Sequence, residues 1–193
     1  LLRLAALLQQ TPDAAAVLSV CFSPIIARAS KPFGIPYISY TVDSPCSTLY
    51  SKTMEYPHNR LFLFDKLHLA KFEHRNPGNC FHTLLACDIE HFDNVTVSST
   101  DMKKYGTDVS FVGSLYSEKN SYDDIADKLP AYMRGYVEGL CSAQKNVYGY
   151  NFIEDALTDE WVSDFVSTVG FDPLPADYET DLKGIIADTY LNC

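Results

Sequence analysis

The chain has 193 residues, 47% of them hydrophobic, with 13 Tyr, 11 Phe and a formal net charge of −10. That length suits one sizeable core or one domain with an appendage, and the aromatic content excludes a disordered chain. No run reaches the roughly 18 uninterrupted apolar residues of a membrane span. The acidic balance argues against nucleic acid as a partner.

The charge is unevenly spread. Residues 1–119 hold 11 basic and 11 acidic side chains, whereas residues 120–193 hold 4 basic and 14 acidic. This step suggests a boundary near residue 117, with an α/β domain over 1–117 and an acidic helical segment over 118–193, either bridging or inserted. Six cysteines at 21, 46, 80, 87, 141 and 193 form no CxxC pair or tight framework, which favours reduced thiols and a cytoplasmic location. Asn94-Val95-Thr96 is a glycosylation sequon, but no secretory signal accompanies it. The apolar start, LLRLAALLQQ, lacks a basic region and a cleavage site and reads as an amphipathic helix. Its lack of Met is consistent with a processed or truncated start, and the sheet is expected to lack its first strand.

In chain order, the spacing predicts a helix over 1–10 and a short apolar strand over 15–22 (AAVLSVCF). A helix over 24–30 with Pro near its start follows, and Gly34 stops it before a strand over 35–42. LFLF at 61–64 reads as a third strand, DKLHLAKFEHR as a helix, NCFHTL at 79–84 as a fourth strand and DVSFVG at 108–113 as a fifth. Strand and helix alternating at this spacing predict βαβ units, hence a parallel sheet covered by helices. Beyond 117 the pattern is helical. Ser121 with Asp124 resembles a capping box, Pro130 breaks the run, and Asn151 caps a helix carrying Ile153, Leu157, Trp161 and Phe165 on one stripe. A Pro-rich stretch, FDPLPADYE, leads to a last helix around 178–191.

Ligands of open parallel sheets bind beyond the carboxyl ends of the strands. Those ends deliver Ser23-Pro24, Asp43-Ser44-Pro45, Asp65, Leu85 to Asp88, and Gly113-Ser114. Ser23, Asp43, Ser44, Asp65, Gly113 and Ser114 are therefore candidate substrate-binding residues, and Asp43 the candidate catalytic one. Each has a plainer role open to it. Asp43 can accept amide hydrogen bonds in the turn that Pro45 stiffens, and Asp65 can cap the following helix. Phosphate loops of the GxxxxGK[ST] and GxGxxG types are absent from the sequence, as is a GxSxG elbow. Asp65 lacks the second Asp, two residues on, of aspartyl-nucleophile phosphatases; that position is Leu67. His82, Asp88, Glu90, His91 and Asp93 are metal-like in composition but not in spacing, so no metal is expected.

The segments YISYTVDSP, HNRLFLFDK, CFHTLLACD and DVSFVGSLYSEKNSYDDI occur in that order, followed by YMRGYVEGLCSAQKNVYGYNFIEDAL. This series, from Ala15 to Leu157, resembles an uncharacterised bacterial domain that stands N-terminal to group 1, CgeB-like (spore-maturation-type) glycosyltransferases. The resemblance implies a Rossmann-like domain, the acceptor-side half of a GT-B glycosyltransferase. A saccharide or glycan acceptor would bind it, and a separate C-terminal domain of the complete protein would hold a nucleotide-sugar donor. It implies no bound cofactor or metal. DVSFVG would mark where the chain begins to cross toward that second domain. Asp43, Ser44 and Asp65 are the cleft-edge positions it carries over, with Asp43 as a general base. As a fragment the chain would be inactive alone. The residues also leave open a non-catalytic sugar- or nucleotide-binding module, and a structural domain whose acidic helices hold a basic partner.

Overall fold

A computed structural model describes residues 1–114, 121–170 and 181–191. The chain divides into two compact units, Leu1–Leu84 with Ser121–Cys193, and Leu85–Asn120.

The first unit is mixed α/β. Four parallel strands, β1 (Val17–Val20), β2 (Tyr37–Thr41), β3 (Asn59–Leu63) and β4 (Cys80–His82), lie side by side in chain order. Their register pairs Ser19 with Ser39, Ser39 with Leu61 and Leu61 with Cys80. α1 (Leu2–Gln10) precedes the sheet, α2 (Pro24–Ser30) joins β1 to β2, and α3 (Lys66–Phe72) joins β3 to β4. Gly34, at φ 63°, closes the turn after α2 in the left-handed region that a side chain disfavours. Two 3-10 turns, Ser47–Tyr50 and Lys52–Glu55, replace a crossover helix between β2 and β3.

Alternation along β2 and β3 sorts the side chains. Tyr37, Ser39, Thr41, Asn59, Leu61 and Leu63 are buried, while Ile38, Tyr40, Arg60 and Phe62 are half-buried on the other face. That second face is not covered as a parallel sheet's usually is: Leu18 and Val20 of β1 are 69% and 68% exposed. The inner face meets Phe22, Leu49, Tyr50, Met54, Phe72 and Ile185 in one core.

Residues 121–170 and 181–191 of this unit build a second core. Turns and a 3-10 stretch (Ala126–Lys128) precede α6 (Ala131–Gln144), where an α-helix from Ser121 was expected; Pro130 stands at the N-cap of α6. The helix expected from Asn151 is two helices. Asn151 accepts the Ile153 amide at the start of α7 (Ile153–Ala156), and Thr158 caps α8 (Asp159–Val169) afresh. Ile153, Leu157, Trp161 and Phe165 still meet in one cluster, because the break turns the chain without removing the stripe from the core. α9 (Leu182–Ile185) runs on as a π-turn over Ile186–Tyr190. Ile185 belongs to the sheet core, whereas Ile186, Ala187 and Leu191 belong to the helical one. The Pro-rich connection and Cys193 lie outside the described residues.

The second unit holds α4 (Ile89–Asp93), capped by Asp88, and α5 (Ser99–Tyr105), whose Ser98 and Asp101 form a capping box. The strand expected over 108–113 does not form. Val109 and Val112 are 88% and 95% exposed, and the segment's alternation has no neighbouring ladder to satisfy it. Among the described residues, no helix is long and apolar enough to cross a membrane.

Candidate functional site

β1, β2 and β3 end at one edge, and their ends are tied together by side chains. The β1 exit is fixed first. Ser19 donates its hydroxyl to the Cys21 carbonyl (2.7 Å) and also bonds the Tyr37 hydroxyl (2.6 Å), which accepts the Ser23 amide (2.8 Å). Cys21 sits at φ 57°, in the left-handed region, while its amide still reaches the Tyr40 carbonyl at 2.9 Å. Its thiol thereby lies against the end of β2 and donates to Asp43 Oδ2 at 3.0 Å.

Ser44 continues the ridge. Its hydroxyl donates to Asp65 Oδ2 at 2.8 Å, across to the end of β3. Asp65 Oδ1 accepts the amides of Leu67 (2.7 Å) and His68 (3.2 Å), so the carboxylate caps α3 while it holds Ser44. The buried His68 ring then receives the Cys46 amide on Nε2 at 3.5 Å, just past the cis Ser44–Pro45 bond. The ridge thus runs Cys21, Asp43, Ser44, Asp65, His68.

The electrostatics assign different roles along it. Burial works to raise the Asp65 carboxyl, but the Ser44 hydroxyl and the His68 and Leu67 amides hold it below its ordinary value. With both oxygens occupied, Asp65 is an organiser rather than a base. Burial lowers His68, partly opposed by Asp188 and Asp65, so the imidazole stays neutral and can accept the Cys46 amide. Burial and then the Asp43 carboxylate raise the Cys21 thiol, which keeps it a donor instead of a thiolate. Asp43 differs. It is exposed, one oxygen takes the thiol, and Oδ1 receives no hydrogen bond from the described residues. It is the acceptor left open to a ligand hydroxyl.

Of the sequence candidates, Asp43, Ser44 and Asp65 meet in this ridge. Ser23 stands at the N-cap of α2, where its amide, not its side chain, makes the contact with Tyr37. Gly113 and Ser114 belong to the second unit and end no strand. Among the described residues, no group of three or more His, Cys, Asp or Glu is placed to hold a metal ion. His82 bonds the Phe64 carbonyl (3.0 Å), and Asp88 caps α4 through the His91 amide (2.9 Å).

Sequence reasoning missed Cys21, Tyr37 and His68. His68 had a readable signal, since the third residue after a helix-capping Asp turns back toward the cap. Cys21 had none, because a left-handed cysteine is written in no local pattern. Cys21, Cys46, Cys80 and Cys87 are free thiols, and Cys141 is disulfide-bonded. No protein-family model matches the chain, and no curated protein or solved structure matches it either.

Proposed function

We propose that the chain is the Rossmann-like, acceptor-side domain of a GT-B glycosyltransferase of the CgeB-like kind. The supporting observation is the hydrogen-bonded ridge across three adjacent parallel strand ends, with one carboxylate oxygen left open at Asp43. Parallel sheets take ligands at this edge. Saccharides present hydroxyl groups, which suit an exposed carboxylate flanked by a hydroxyl and a thiol.

In this reading an acceptor hydroxyl donates to Asp43 Oδ1. The Cys21 thiol on Oδ2 fixes the carboxylate plane, and Asp43 takes the acceptor proton as the oxygen attacks the anomeric carbon of the donor sugar and the sugar–phosphate bond breaks to release the nucleotide. Ser44, held by Asp65, offers its oxygen lone pairs to a second ligand hydroxyl. The nucleotide-sugar donor binds a separate domain of the complete protein, and the chemistry occurs between the two.

A thermal-shift titration of the chain and of D43N with saccharides and with UDP-, GDP- and dTDP-sugars tests this. Saccharide at 100 times its dissociation constant stabilises the native state by about 2.7 kcal/mol, and D43N loses that gain. Stabilisation by nucleotide-sugars alone would put the donor here and overturn the assignment, and a flat response to every sugar would remove it. A second reading is a non-catalytic sugar-binding module, since the ridge can bind hydroxyl groups without transferring a proton. Saccharide binding in a complete protein that transfers no sugar would select that reading.

A further inference from the structure

The other end of the strands carries a cluster of opposite charge. Lys31, in the turn after α2, places its Nζ 4.0 Å from the centroid of the Tyr56 ring. Tyr56 stacks on His58 at 5.6 Å with 30° between the rings. His58 Nε2 lies 2.9 Å from the Ala27 carbonyl, so that nitrogen carries the proton and Nδ1 is left without a hydrogen-bond partner among the described residues. Arg60, at the start of β3, donates Nη1 to the Pro57 (2.9 Å) and Asn59 (2.7 Å) carbonyls. Those bonds fix the guanidinium and leave Nε and Nη2 open.

What distinguishes the cluster is missing compensation. Lys71 is paired with Glu154 and Asp188, and Arg75 with Glu55. No carboxylate among the described residues pairs with Lys31, His58 or Arg60. The charges bearing on His58 are the two cations, which add to burial in lowering it, against the Ala27 carbonyl. Two cations thus flank His58, whose Nδ1 is open, with no anion paired to them among the described residues, in a chain of net charge −10. Such an arrangement is relieved by a dianion: a guanidinium edge and an ammonium suit phosphate oxygens, and an anion gives His58 Nδ1 reason to take a proton.

We propose that Lys31, His58 and Arg60 bind the phosphate group of a phosphorylated ligand. This site lies at the end of the sheet opposite the acceptor edge and is independent of the glycosyltransferase reading. Binding is linked to proton uptake at His58, so it tightens as pH falls toward the ordinary histidine value of 6.5.

The test is an NMR titration of the His58 ring in the full chain, with sodium phosphate against sodium chloride at equal ionic strength. Saturable shifts with phosphate and a raised His58 midpoint are expected. K31Q weakens the binding about tenfold and R60Q more, as expected for lost charge-assisted hydrogen bonds. Because Arg60 also pins the Pro57–Asn59 turn, the exposed Lys31 supplies the variant that leaves the fold intact. Unsaturable shifts, or the same affinity in K31Q, would overturn the proposal. Co-sedimentation with phosphatidic acid vesicles, lost in K31Q, assigns the phosphate to a lipid headgroup. Phosphate binding without co-sedimentation assigns it to a soluble ligand.

Discussion

The first unit has two cores of different make. Around the sheet, the buried set includes Ser30, Ser39, Thr41, Ser51, Thr53, Asn59, His68 and Asn76. Across the described residues of 121–191, the fully buried side chains are apolar: Met133, Ile153, Leu157, Phe165, Ile186 and Leu191 among them. Buried polar groups need partners, and those of the sheet core largely find them, although Asn59 Oδ1 is buried without a hydrogen bond among the described residues. Asn59 donates to the Thr53 (2.9 Å) and Met54 (3.1 Å) carbonyls, and Asn76 to Met54 (2.7 Å). Such bonds fix how the chain enters β3 and β4. The helical core only has to fill space. The contrast teaches where specificity was built and where bulk was.

Three perturbations probe how far the two cores are separate. The largest effect is expected from L61A, which empties a fully buried site in the sheet core and costs about 2–5 kcal/mol. Trp161, the chain's one tryptophan, reports on the helical core. In urea its fluorescence transition should shift together with the backbone circular dichroism, since residues 185 and 186 tie the cores. A Trp161 transition that stays put would show two independent cores.

G184A acts on the tie itself. A Cβ there would collide with the Tyr50 ring, whose hydroxyl donates to Asp188. Asp188 in turn accepts from Lys71 at 3.1 Å. Overpacking at this point should cost about 1–3 kcal/mol, read as a lower Tm.

The smallest effect belongs to Asp65. Its folded carboxyl lies below the ordinary value of 3.8, so its contribution is present above that value and is lost as pH falls through the folded one. D65N keeps the cap acceptor but loses the oxygen that takes the Ser44 hydroxyl, which should cost about 1 kcal/mol at neutral pH and flatten the fall of Tm with pH below about 4. An unchanged acid limb would mean that the Ser44 and amide bonds do not hold the ionised form.

The first three strands were legible because each carries β-branched, aromatic or leucine side chains between turn residues, whereas the fourth, Cys-Phe-His, was marked by the glycine that ends the helix before it. The expected fifth was not separable from them on that signal. Phe111 and Val112 have the right side chains, but a strand is a pairing, and the ladder cannot be read from one segment. Asp43, Ser44 and Asp65 could be found from the rule that strand ends carry ligands. Their division of labour could not, since it depends on Cys21 reaching across from β1 and on Ser44 reaching β3. Asn151 was legible as a helix start and accepts the Ile153 amide, although Phe152 is the N-cap, whereas the cap at Thr158 was hidden inside a stripe that continues through the break.

The placement of Ile185 also bears on synthesis. Strands added in chain order pair with what is already made, so the sheet can form progressively as the chain emerges from the ribosome. Ile185 and Ile186 come late, and each fills a different core. Until they emerge, both cores stay open to water, and a nascent chain that has completed every strand is still a client for chaperones.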